Sequence, residues 1–111
     1  MSGPRVELLY WEGCPSHPRA LADLREALAS LGRADVAVSL QRIDDENQAR
    51  AAGFVGSPTI RIDGADPFPP DAGEPAALAC RIYELADGRP SPTPDPGALR
   101  ERLERMLAER G

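Results

Sequence analysis

The chain has 111 residues, enough for one compact domain and too few for two cores. Thirteen basic against eighteen acidic residues leave a net charge of −5, which argues against a phosphate-binding face and against nucleic acid as a partner. All thirteen basic residues are Arg, so Lys Schiff-base chemistry and a Lys-dependent phosphate loop are excluded, while 12 Pro and 10 Gly foretell many turns.

In chain order, Val6-Glu7-Leu8-Leu9-Tyr10 is apolar on both faces and predicts a strand covered on both sides. Leu21, Leu24, Leu28 and Leu31 recur at helical spacing and predict a helix over roughly residues 18–31, with Gly32 as its C′ residue. Pro18 suits a first-turn position, which allows the helix to open at His17. Val36, Val38 and Leu40 alternate with Ala37, Ser39 and Gln41, the signature of a second strand ending near Ile43. Strand, helix and strand joined this closely predict a parallel crossover. Asp44 or Asp45 can cap a short helix closed by Gly53. Ile60-Arg61-Ile62 is a third strand, turned by Asp63-Gly64.

Residues 65–76 contain four prolines and read as an insertion loop. Leu78, Cys80 and Ile82 alternate with Ala79, Arg81 and Tyr83, predicting a fourth, edge strand before the turn Asp87-Gly88. Asp95 can cap and Pro96 can open a final helix whose stripe is Leu99, Leu103, Met106 and Leu107. The expected fold is therefore an α/β single domain over residues 1–111, β-α-β-α-β-β-α, with a four-stranded mixed sheet flanked by helices. Apolar runs are far shorter than the roughly 20 residues that span a bilayer, so no membrane segment is expected. The short, charged start lacks a secretory hydrophobic region, which points to the cytoplasm, where two cysteines rest as thiols.

Two segments carry chemistry: Glu12-Gly13-Cys14-Pro15-Ser16-His17 at the first strand-to-helix junction, and Gly56-Ser57-Pro58-Thr59-Ile60 entering the third strand. In this order the chain resembles the thioredoxin-like family over nearly its whole length. A cysteine near a helix N-terminus gains thiolate character from free N–H groups and the helix dipole, and the matching cysteine of the family attacks disulfides, so Cys14 is the candidate nucleophile. The resemblance makes Ser57-Pro58 a cis bond facing that cysteine, with the Ser57 backbone exposed to pair with an extended substrate. Trp11 and Tyr10 are candidates for the floor of the site.

The family's second cysteine is replaced by His17, so no local disulfide can form. His17 instead is a candidate to stabilise the thiolate or shuttle a proton, and Glu12 to donate one. Cys80 is the one possible intramolecular partner of Cys14: an inert core cysteine by its strand phase, a resolving thiol, or a second soft ligand. The leading expectation is a cytoplasmic thiol-dependent redox protein that meets a protein or small-molecule thiol or disulfide and needs no cofactor. Two alternatives stand beside it. Cys14 and Cys80, with an acid such as Glu12 or Asp63, handle a soft metal or organomercurial; or the domain is a non-catalytic binding module using the loop 65–75 or the edge strand.

Overall fold

The computed structural model describes residues 3–109. A first strand, β1 (Val6–Tyr10), leads through helix α1 (His17–Ser30) to β2 (Val38–Arg42), then through α2 (Glu46–Ala52) to β3 (Thr59–Ile62). β1 is apolar on both faces because it is the middle strand, in the order β2-β1-β3. It pairs parallel with β2, Val6 opposite Val38, and antiparallel with β3, Leu8 opposite Ile60.

The helix ends follow local chemistry. α1 closes with Gly32 at φ 74°, the Gly32 N–H bonding the Ala29 carbonyl at 3.1 Å and the Arg33 N–H reaching the Leu28 carbonyl at 2.8 Å, so two orphan carbonyls find donors. α2 opens on Asp45, whose carboxylate accepts the Gln48 N–H at 2.8 Å, and stops at Gly53 in the left-handed conformation.

Two apolar clusters sit on opposite faces of β1. Val6 and Leu8 join Ala20, Leu24, Ala27 and Leu28 of α1, Ile60 and Ile62 of β3, and three leucines of the last helix, α3 (Pro96–Glu109). Leu9 points the other way, into Ile43, Ala49 and Phe54, with Trp11 and Leu78 packed alongside. Each fully buried Leu, Ile or Phe contributes roughly 1.5–3 kcal/mol of transfer free energy, so these side chains hold both layers to the sheet.

The expected four-stranded sheet is not formed. The sheet has three strands, and a separate antiparallel ribbon of β4 (Tyr83–Glu84) and β5 (Pro90–Ser91) stands apart from it. Of residues 78–83, expected as the fourth strand, only Tyr83 lies in a strand, β4 of the ribbon, and 78–82 make one isolated bridge, Cys80 to Ser57. The pairing touches the sheet's approach rather than β3 itself, and Pro58, between Ser57 and β3, has no N–H to extend the ladder. The alternation of Leu78, Cys80 and Ile82 does not mark a core face either: Leu78 is half-buried, Cys80 is exposed, and Ile82 is 76% exposed. Among the described residues, no helix is long and apolar enough to cross a membrane.

α3 hangs on Asp95. Its carboxylate accepts the Ala86 N–H at 3.0 Å and the Ala98 N–H at 3.1 Å, tying the ribbon's turn to the helix start. These two donors, Ala86 first, hold the Asp95 carboxyl below the ordinary range. A lowered folded pKa means that the stabilisation is complete above the unfolded value near ~3.9 and is lost as pH falls through the folded one. Urea melts of the wild type and Asp95→Asn between about pH 5 and pH 2 should show the wild-type advantage shrinking as the pH falls. An advantage that stays constant or grows would contradict the assignment.

Candidate functional site

Cys14 and Cys80, 66 residues apart in sequence, meet with their Cα atoms 5.5 Å apart and their sulfurs joined as a disulfide. The two cysteines expected as separate thiols are thus paired in the structure, and Cys80, whose strand phase suggested a core position, is exposed. Cys14 sits in a turn closed by its own N–H on the Trp11 carbonyl at 3.0 Å, two residues before the N-cap Ser16. It is 2% exposed, whereas Cys80 is exposed, so the residue that meets solvent is Cys80 and not the expected Cys14. Around the buried sulfur, the Ser16 hydroxyl lies at 3.3 Å and the Ser57 carbonyl at 3.6 Å. Ser16 makes no side-chain cap bond to the helix, which leaves its hydroxyl for the sulfur.

Cys80 is brought there by backbone pairing. The Ser57 N–H donates to the Ala79 carbonyl at 2.8 Å, and the Arg81 N–H donates to the Ser57 carbonyl at 2.8 Å. The Ser57-Pro58 bond is cis, but both residues are buried, and the backbone of Ser57, expected to be open to a substrate, is already occupied by residues 79–81 of the same chain. The Ser57 hydroxyl is buried with no hydrogen-bond partner. Gly56, at φ 142°, allows this close approach: a Cβ there would fall 3.0 Å from Arg81 Cβ and 3.1 Å from its backbone.

Arg81 then anchors the segment. Its guanidinium pairs with Asp66 at 2.7 Å, donates to the Phe68 carbonyl, and lies 4.6 Å from the centre of the Tyr83 ring. The Tyr83 hydroxyl donates to the Pro58 carbonyl, and burial pushes its phenol well above the ordinary range, so it stays neutral. The sequence reading missed Arg81, Asp66 and Tyr83, because a charge pair between a Pro-rich loop and a cysteine's neighbour has no periodic signature.

The other expected residues divide. His17 stacks on Tyr10, ring centres 4.2 Å apart, and its Nδ1 lies 3.3 Å from the Cys14 carbonyl; its hydrogen bond is to the cysteine's backbone and not to the sulfur. Trp11 is half-buried against the Leu9 cluster and lies across Gly13, where an added Cβ would strike the indole. Glu12 is exposed and faces Arg42 at 3.4 Å. Among the described residues, no three His, Cys, Asp or Glu side chains group to hold a metal ion.

Cys80 lines an open cleft of about 770 Å³ walled by the ribbon, the Pro-rich loop and α3. The arrangement therefore presents one disulfide with an exposed sulfur, Cys80, open to attack and a buried sulfur, Cys14, as the group such attack would expel.

No protein-family model matches the chain, and no curated protein matches it. A structural-genomics crystal structure of a protein from Bordetella parapertussis is similar in fold, with a TM-score of 0.55 and 22% identity over 96% of this chain and 100% of that one.

Two outcomes follow from this geometry. Closing so long a loop should stabilise the oxidised chain by about 4 kcal/mol, read as the difference between urea melts with and without reductant. Gly56→Ala, strained in φ and crowded against Arg81, should cost about 1–3 kcal/mol and lower the fraction of chains carrying the disulfide, measured by alkylation and mass spectrometry. Unchanged disulfide formation would show that the approach of residues 79–81 does not depend on Gly56.

Proposed function

We propose that this protein is a thiol–disulfide exchange protein working through the Cys14–Cys80 pair, in keeping with its resemblance to the thioredoxin-like family. The observation that carries the reading is the asymmetry of the pair: Cys80 is exposed beside a cleft, and Cys14 is buried with a hydroxyl at hydrogen-bond distance from its sulfur.

In the reductive direction, a partner thiolate attacks the Cys80 sulfur, the Cys14–Cys80 bond breaks, and Cys14 leaves with the electron pair as a thiolate. The Ser16 hydroxyl, 3.3 Å away, donates to that developing charge. Once protonated, the Cys14 thiol can donate to the Ser57 carbonyl at 3.6 Å. A second partner thiolate resolves the mixed disulfide at Cys80, releasing Cys80 as a thiolate and carrying the partner away oxidised. Run backwards, reduced Cys80 attacks a partner disulfide, and Cys14 attacks the mixed disulfide at the Cys80 sulfur, expelling the reduced partner. Attack falls on Cys80 because access, along with thiolate fraction, governs exchange rates. A cytoplasmic setting belongs to the proposal: there a thiol pool reduces the pair, so that it cycles instead of resting oxidised. The partners are protein or small-molecule thiols and disulfides.

The roles predict different variants. Cys14→Ser should accumulate a stable mixed disulfide at Cys80 when mixed with a small disulfide, because nothing is left to resolve it. Cys80→Ser should form none at neutral pH. Intact-mass spectra read both, and trapping by Cys80→Ser at the wild-type rate would reverse the assignment. Ser16→Ala should leave the fold intact and slow release of Cys14 by about ten-fold, what loss of one hydrogen bond of ~1–2 kcal/mol gives; an unchanged rate would remove Ser16 from the mechanism.

A further inference from the structure

Resting on the exchange reading, we propose that the cleft beside Cys80 selects partners whose reacting sulfur stands next to positive charge. The site is the exposed cysteine itself; the inference concerns what the walls around it admit.

Asp71, Glu74 and Glu84 line the cleft together with Arg81 and Arg102. The two arginines are committed. Arg81 is neutralised by Asp66 at 2.7 Å, with both side chains nearly buried. Arg102 donates to the Pro67 carbonyl at 2.8 Å and packs 4.5 Å from the centre of the Phe68 ring. The three carboxylates have no ion-pair partner among the described residues, in a chain whose net charge is already −5. A thiolate reaching Cys80 therefore brings negative charge into a negative, partly enclosed space. Thiolate attack spreads that charge over three sulfurs, so the field opposes both the approach and the transition state. An ammonium or guanidinium close to the attacking sulfur offsets the repulsion and pairs with the unmatched carboxylates. Ile82, 76% exposed at the same wall, adds an apolar contact for the partner's carbon skeleton.

The test measures opening of the Cys14–Cys80 bond in the oxidised full chain, by alkylation and mass, with cysteamine, 2-mercaptoethanol and 2-mercaptoethanesulfonate. Each rate is normalised to the thiol's own rate with an uncharged small disulfide. Cysteamine should exceed the sulfonate by on the order of ten-fold at low ionic strength, with the neutral thiol between them, and the gap should close to about two-fold or less near 0.5 M salt. The combined change Asp71→Asn, Glu74→Gln and Glu84→Gln should close it at low salt. A parallel pair of tripeptides, cysteine between two lysines or between two glutamates, identifies the source of the charge. Preference among the small thiols alone assigns the site to small molecules, preference among the peptides alone assigns it to proteins, and either one supports the inference. Equal normalised rates, a faster sulfonate, or a gap that survives high salt overturns it. Failure of every thiol to open the bond would instead refute the exchange reading beneath it.

Discussion

The two hydrogen bonds between Ser57 and residues 79–81 are the constraint on which the rest of the site depends. A backbone N–H and C=O buried at this depth must find partners, and these find them in a single stretch of the chain's own loop. That pairing delivers Cys80 to Cys14, and it lays Ala76 and Leu78 over the smaller of the two apolar clusters. Gly56 supplies the room, and Arg81 holds the loop to itself through Asp66 and the Phe68 carbonyl. The cleft, the exposed cysteine and the lid over Leu9 and Phe54 are thus one construction.

Local chemistry in the sequence was sufficient for the framework. β1 was legible because its apolar character continues on both faces, as a middle strand's must, and α1 because four leucines keep helical phase up to a glycine. The caps at Asp45 and Gly53, and the opening of α3 at Pro96, are written in residues whose backbone preferences are strong. The error at residues 78–82 has a definite origin. Six residues of alternation, 78–83, satisfy a strand pattern without any partner being present, and the single bridge that residues 78–82 make is set by Ser57, more than twenty positions earlier. Periodicity reports a face; it does not report what lies opposite.

The same limit explains the site. Cys14 was singled out by its place before a helix, and Ser57-Pro58 by the resemblance to the thioredoxin-like family. Which cysteine faces water is decided by how the Pro-rich loop folds back, through an ion pair and two stacked arginines that no spacing rule connects. Tyr83 shows the same thing from the buried side: its hydroxyl finds the Pro58 carbonyl across 25 positions of sequence.

The cross-link also divides the molecule topologically. It closes a ring from Cys14 to Cys80 that contains α1, β2, α2 and β3, and leaves β1 and α3 outside as two tails. Yet the first tail is the middle strand of the sheet, and the second packs against α1. The loop's exposed stretch, residues 69–75, lies within the ring. A protease that nicks it therefore leaves two pieces still fastened by sulfur, each contributing to the same core, and the severed chain comes apart in mass only after the bond is reduced.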